Sequence, residues 1–214
     1  MQILRDAKER CDPKVAALLI VDVQNDFCSS EGASARRGQD VSAAQGMVLR
    51  LQHLLEEARA VSLPIIFIKT EHSEWTDTPP WIYRKSQQKQ LNTCRQGTWG
   101  ADFYGVAPLP GERVVIKHRY SAFINTDLNT VLKARDVESV LVTGVSTNVC
   151  VETTARDAYM YDYYVTLVED CSAAYSEAMH KGTLKNISDH FGLVVTSDEI
   201  IRLWKEMRGT KAVA

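Results

Sequence analysis

Thr143-Gly144-Val145-Ser146-Thr147-Asn148-Val149-Cys150-Val151-Glu152 runs from an apolar strand, through a tight turn, into a helix that begins near a cysteine. A thiol beside a helix N-terminus feels the positive end of the peptide dipoles. That position is expected to lower its pKa and favour thiolate. Two other side chains stand at comparable places. Asp22 closes the apolar run Ala17-Leu18-Leu19-Ile20-Val21, and Lys117 closes Val114-Val115-Ile116. An acid, an ammonium and a thiol, each just past an apolar strand, are the parts of a cysteine-nucleophile hydrolase.

Working outward, short β-rich runs alternate with helical patterns. Strands are predicted over residues 15–21, 64–69, 113–116, 139–143, 164–168 and 192–195. Most are near-continuous apolar runs, the pattern of strands covered on both faces. Helices are predicted over 42–60, 127–135, 149–161, 176–190 and 197–207. In the first of these, Val48, Leu51, Leu54, Leu55 and Ala58 form one i, i+3, i+4 stripe. The alternation predicts an α/β fold, a doubly wound parallel sheet with right-handed crossovers. Residues 71–111 break the rhythm and carry Trp75, Trp81 and Trp99, three of the four tryptophans. So long an excursion inside one domain, residues 1–214, reads as an active-site cover, a subunit contact or both.

Composition narrows the function classes. A formal net charge of −2 offers no general attraction to nucleic acid or acidic membranes. No apolar run approaches the roughly 20 residues of a membrane span, and the charged N-terminus does not read as a signal peptide. The five cysteines, Cys11, Cys28, Cys94, Cys150 and Cys171, form no Cys-x-x-Cys pair. A reduced, cytoplasmic protein without a zinc or redox motif is expected.

Ligand sites in open α/β sheets lie beyond the carboxyl ends of the strands. Asp22, Lys117 and Cys150 are far apart in sequence, yet all three sit at such ends. Each has a plainer reading alone: Asp22 as a loop cap, Lys117 as a solvated strand end, Cys150 as core filler. Asn148 could cap the helix that carries the thiol. Three residues converging on one rim outweigh any of these alone.

Asp22-Val23-Gln24-Asn25-Asp26-Phe27, the segment around Lys117 and Gly144 to Val151 resemble, in order, the three signatures of the isochorismatase-like cysteine hydrolases. That family includes nicotinamidases, N-carbamoylsarcosine amidase, biuret hydrolase and ureidoacrylate amidohydrolase. The resemblance implies a three-layer α/β/α fold with a six-stranded parallel sheet in order 3-2-1-4-5-6. It implies a catalytic triad of Asp22, Lys117 and Cys150. It also implies a cis peptide at Val145–Ser146 that aims the Ser146 and Cys150 backbone N–H groups at one point as an oxyanion hole.

Nicotinamidases carry an Asp-x-His metal element after the second strand. The matching residues here are Thr70-Glu71-His72, which lack the aspartate, so no metal and no cofactor are expected. His118 reads as a neighbour of the site rather than its base, and His53, His180 and His190 as surface or cap residues. The segments around Lys117 and Cys150 are most similar to the ureidoacrylate amidohydrolase pattern. They imply hydrolysis of a C–N bond in a small carbamoyl, ureido or amide substrate through an acyl-thiol intermediate. A nicotinamidase-like amidase and a non-catalytic binding relative are the alternatives. Asn25, Glu71, Tyr120 and Asn125 are candidate polar contacts, and Phe27, Trp99 and Phe123 candidate pocket walls. Arg84 and Arg95 are candidate carboxylate clamps. The family resemblance implies a homodimer or homotetramer, with a small-molecule substrate as the other partner.

Overall fold

The computed structural model describes residues 3–211. In chain order the elements are α1 (Ala7–Arg10), β1 (Ala16–Val21), α2 (Asn25–Cys28), α3 (Ala33–Arg36), α4 (Ser42–Ala60), β2 (Ile65–Thr70), α5 (Pro79–Gln87) and β3 (Arg113–Lys117). They continue with α6 (Leu128–Lys133), β4 (Ser139–Val145), α7 (Glu152–Met160), β5 (Tyr164–Ala173), α8 (Glu177–His190), β6 (Gly192–Val195) and α9 (Ser197–Lys211). The six strands pair in parallel, in the order β3-β2-β1-β4-β5-β6. This is the predicted topology.

The central strands follow from their sequences. β1 is Ala-Ala-Leu-Leu-Ile-Val and every residue is buried, as is every residue of β4. Alternate side chains feed two apolar layers, one on each face. Leu18, Ile20 and Phe67 join Leu51, Leu54 and Trp204 on one face. Leu19, Val21 and Ile68 join Leu128, Val151 and Ala155 on the other. The predicted stripe on α4 is buried throughout. The outer strands are less covered: β3 exposes Arg113 and Ile116, and β6 is half-buried along its length. No described helix is long and apolar enough to cross a membrane.

Strand order sets the site. Val21 pairs with Ile68 and Gly144, and Thr70 pairs with Lys117. Reading across the carboxyl rim, Lys117 ends β3, Thr70 ends β2, Asp22 follows β1 and Ser146 follows β4. Gly144 lets the last pair close. Its φ is 113°, and a Cβ there would stand 1.9 Å from the Val21 carbonyl oxygen. Neither the torsion nor the backbone contact tolerates a side chain.

Gly144→Ala is therefore expected to destabilise the fold by roughly 2–4 kcal/mol. A thermal melt within about 2 °C of the parent would contradict this account of the β1–β4 contact.

Candidate active site

The rim is held first by backbone geometry. Asp22 has φ 53°, a left-handed conformation that aspartate tolerates better than most residues. Its N–H donates to Ile68 O at 2.9 Å, and its own carbonyl accepts from Gln24 N–H at 2.8 Å. Gln24 then clamps β2: Oε1 accepts from Thr70 N–H at 2.8 Å, and Nε2 donates to Thr70 O at 2.9 Å and Ala101 O at 2.8 Å.

Inside this frame lies a fully buried ion pair. Lys117 Nζ is 2.8 Å from Asp22 Oδ2. The ammonium also donates to Thr70 Oγ1 at 2.7 Å, to Arg119 O at 2.9 Å and to Cys150 Sγ at 3.5 Å. The Thr70 hydroxyl in turn donates a hydrogen bond to Asp22 Oδ1 at 3.0 Å. Asp22 Oδ2 meets no well-aligned hydrogen-bond donor. Burial alone would push the Lys117 ammonium down, but the facing Asp22 carboxylate and Cys150 more than offset it, and its pKa is raised.

Cys150 sits in a wide turn, Thr147–Val151, ahead of α7. The expectation of a resting thiolate is corrected here. Burial is the largest influence on the thiol and raises its pKa to about 12; Lys117 opposes this, and Asp22 adds to it. The thiol is protonated at rest, and the hydrogen bond at its sulfur comes from Lys117 Nζ at 3.5 Å. Asn148 does not cap the helix; its Nδ2 lies 3.5 Å from Met179 Sδ. The Val145–Ser146 peptide is cis, as the resemblance implied.

Above the thiol opens a cavity of about 260 Å³. Its floor includes Thr70, Ser146 and Cys150. The residues matching the Isochorismatase domain run from 16 to 199, enclosing the whole rim. The chain belongs to the isochorismatase family.

Within this family it is similar to ureidoacrylate amidohydrolase RutB of Caulobacter vibrioides, 32% identical over 87% of this chain and 89% of that protein. Among solved structures it resembles a cysteine hydrolase from Pseudomonas syringae pv. phaseolicola 1448A, with TM-score 0.81 and 30% identity over 96% of this chain and 98% of that one. It also resembles N-carbamoylsarcosine amidase from Thermoplasma acidophilum, with TM-score 0.70 and 26% identity over 86% and 97% of the two chains.

The isochorismatase-family pocket brings together some sequence candidates and not others. Asp22, Lys117, Ser146 and Cys150 converge, and Phe27 and Tyr120 line the cavity. The other five candidate substrate contacts do not line it. Asn25 turns its amide to the Trp99 carbonyl at 2.8 Å, which holds the loop rather than a ligand. Glu71 is paired with Lys69 at 2.6 Å. The Trp99 side chain is largely exposed. Phe123 is core, stacked on Tyr161. Asn125 is exposed and takes a turn with φ 56°. Of the two candidate clamps, Arg95 is paired with Asp77 at 2.7 Å and Arg84 lies outside the cavity lining.

The excursion contributes other residues to the wall: His72, Trp81, Lys85, Gln88, Gln90 and Thr93. Arg37, Tyr175 and Met179 reach it from elsewhere in the chain. Sequence reasoning missed these. Pro79-Pro80 beside Trp81 is a helix-start signal that could have located α5. His72 is buried, its Nδ1 has no partner, and burial lowers its pKa to about 3, so the ring is neutral. His118 Nδ1 is 2.6 Å from the Glu71 carbonyl oxygen, and His180 Nδ1 is 2.9 Å from Thr147 Oγ1. His53 and His190 are exposed. Among the described residues no three His, Cys, Asp or Glu side chains form a metal-binding group. Thr70, at the position of the nicotinamidase aspartate, spends its hydroxyl on the ion pair.

The protonated resting thiol has a direct signature. Ultraviolet difference spectra between this protein and Cys150→Ser are expected to show no thiolate absorbance at neutral pH, with onset only in strong alkali. A thiolate band at neutral pH would reverse the assignment.

Proposed function

We propose that this isochorismatase-family hydrolase cleaves the C–N bond of a small ureido or carbamoyl compound through a thioester-type acyl enzyme. One observation carries the reading. A thiol lining a cavity is 3.5 Å from an ammonium that is itself 2.8 Å from a carboxylate. The names of the relatives, ureidoacrylate amidohydrolase and N-carbamoylsarcosine amidase, support the same chemistry.

The steps follow from the roles these groups can fill. Asp22 takes the Cys150 proton as the sulfur attacks the carbonyl carbon, so no free thiolate need accumulate. The carbonyl oxygen gains the charge and accepts hydrogen bonds from the Ser146 and Cys150 backbone N–H groups. Lys117 remains cationic and offsets the negative charge as it moves from carboxylate to sulfur to oxygen. The tetrahedral species collapses, the C–N bond breaks, and Asp22 returns the proton to the departing nitrogen. Asp22 then deprotonates a water, which adds to the thioester carbonyl and releases the acid and the thiol. The substrate is a small molecule, and the protein works as a homo-oligomer in the cytoplasm.

Ammonia release from a panel of ureas, N-carbamoyl acids, simple amides and nicotinamide tests the reading. Turnover is expected on carbamoyl or ureido compounds, whereas nicotinamide alone would favour the amidase alternative. Cys150→Ala should lower the rate at least about a thousandfold and abolish a trapped acyl adduct in the mass spectrum. Retained activity would remove the sulfur from the mechanism. Thr70→Val takes away one hydroxyl from the ion pair. It is expected to cost about ten- to a hundredfold in kcat, with the fold retained. An unchanged kcat would leave Thr70 a bystander.

A further inference from the structure

The cavity lining has an uneven charge balance. No aspartate or glutamate lines the cavity, but three cations do: Arg37, Lys85 and Arg119. Two of them are committed. The Arg119 guanidinium contacts the Thr76 and His118 carbonyls and the Thr78 hydroxyl. Arg37 donates to the hydroxyls of Thr93 at 3.1 Å and Ser34 at 3.2 Å.

Lys85 differs from both. It projects from α5 into the cavity and is half-buried. Its Nζ has a single hydrogen-bond partner among the described residues, Gln90 Oε1 at 2.8 Å, where each guanidinium has several; like them it is paired with no carboxylate there. Two aromatic faces hold it in place, Trp81 at 4.5 Å and Tyr120 at 5.0 Å from the ring centroids. Rings attract a cation without neutralising it. Burial lowers the Lys85 pKa to about 8, so the pocket withholds the counter-charge that would stabilise the ammonium. Beside it stands the neutral His72 ring, 6% exposed and with Nδ1 unpartnered at the cavity lining.

The nucleophilic end of the pocket already has its charges paired, Lys117 with Asp22. Lys85 stands outside that pair, on α5, with an uncharged hydrogen-bond partner. A ligand that carried its own anionic group there would supply the missing partner and a hydrogen-bonding atom for His72.

We infer that Lys85 is the specificity-determining residue of this pocket, selecting substrates with a carboxylate at the end remote from the scissile C–N bond. This deepens the amidohydrolase reading and rests on it for which bond is scissile. The anchoring itself is a binding event and is testable without turnover. Lys85 acts on the ligand and takes no part in the acyl transfer.

The test is calorimetric, on Cys150→Ala protein, which binds without reacting. A panel of N-carbamoyl amino acids is compared with the matching N-methylamides, which share the ureido end and lack the anion. The acid is expected to bind at least about tenfold more tightly than its amide. Lys85→Met in the same background should bring that ratio close to one, and Lys85→Arg should keep most of it. The preference should also fade above about pH 8 as the Lys85 ammonium loses its proton. The Lys117 ammonium, held up by Asp22, keeps its charge through that range. Cys94, Tyr120 and His72 stay neutral, so the fade belongs to Lys85. Equal binding of acid and amide, no binding of either, or a preference that survives Lys85→Met overturns the inference. Failure of the unmodified protein to release ammonia would strike the hydrolase reading instead.

Discussion

The buried pair between Lys117 and Asp22 is the constraint around which this molecule is arranged. Two charges with 1% and 0% exposed side chains are tolerated only where nearly every donor and acceptor is matched. The sheet meets that demand. Thr70 relays between the two groups, the Arg119 carbonyl takes another ammonium proton, and Gln24 fixes the strand that carries Thr70. Removing one member of such a pair typically costs about 3–5 kcal/mol, because the other is left charged and dry. The same dryness governs the sulfur. A thiolate beside the carboxylate would place a second negative charge in the pocket, and the thiol therefore keeps its proton until an electrophile can accept the charge.

This arrangement depends on strand order more than on any one loop. With β2 between β3 and β1, the last residue of each strand and the first residue past it lie side by side along the rim. Lys117, Thr70 and Asp22 are neighbours for that reason, although 47 and 48 positions separate Thr70 from the other two. On the far side, β4 must pass close enough to β1 for its following turn to bring Cys150 over the pair. Gly144 permits that approach, and Asp22 itself turns through a left-handed conformation to point its carboxyl inward.

How legible this was depended on what each segment buries. β1 and β4 are dry on both faces, so their composition is nearly all apolar and their ends are sharp. Asp22 stood out because it interrupts such a run. The α4 stripe was equally plain. Helix α5 buries no residue fully, so it has no apolar periodicity to read, and Trp81 and Lys85 were hidden with it. Phe123, Glu71 and Asn125 were misplaced for a related reason. Sequence proximity to Lys117 or Thr70 does not say which way a side chain points after the strand ends. β5 runs to Ala173, past its predicted end, because a register shift opposite Val142 and Gly144 lets pairing resume beyond Val168. Such a shift leaves no compositional mark.

The pocket thus has two halves built by different means. The half that carries Asp22, Lys117 and Cys150 is made of strand ends locked by a parallel ladder, where a displacement of one group disturbs the others through the ion pair. The opposite half is made of α5, the turns around it and the segments carrying Arg37 and Tyr175. These are tied to the sheet by a few polar contacts and by ring stacking, such as His72 on Trp81 and Trp81 on Tyr120. Side chains on α5 can change without disturbing the Lys117–Asp22 pair, because none of them contributes to it. Charge is distributed to match: the Lys117 ammonium faces a carboxylate, whereas the Lys85 ammonium faces an amide oxygen and two aromatic rings.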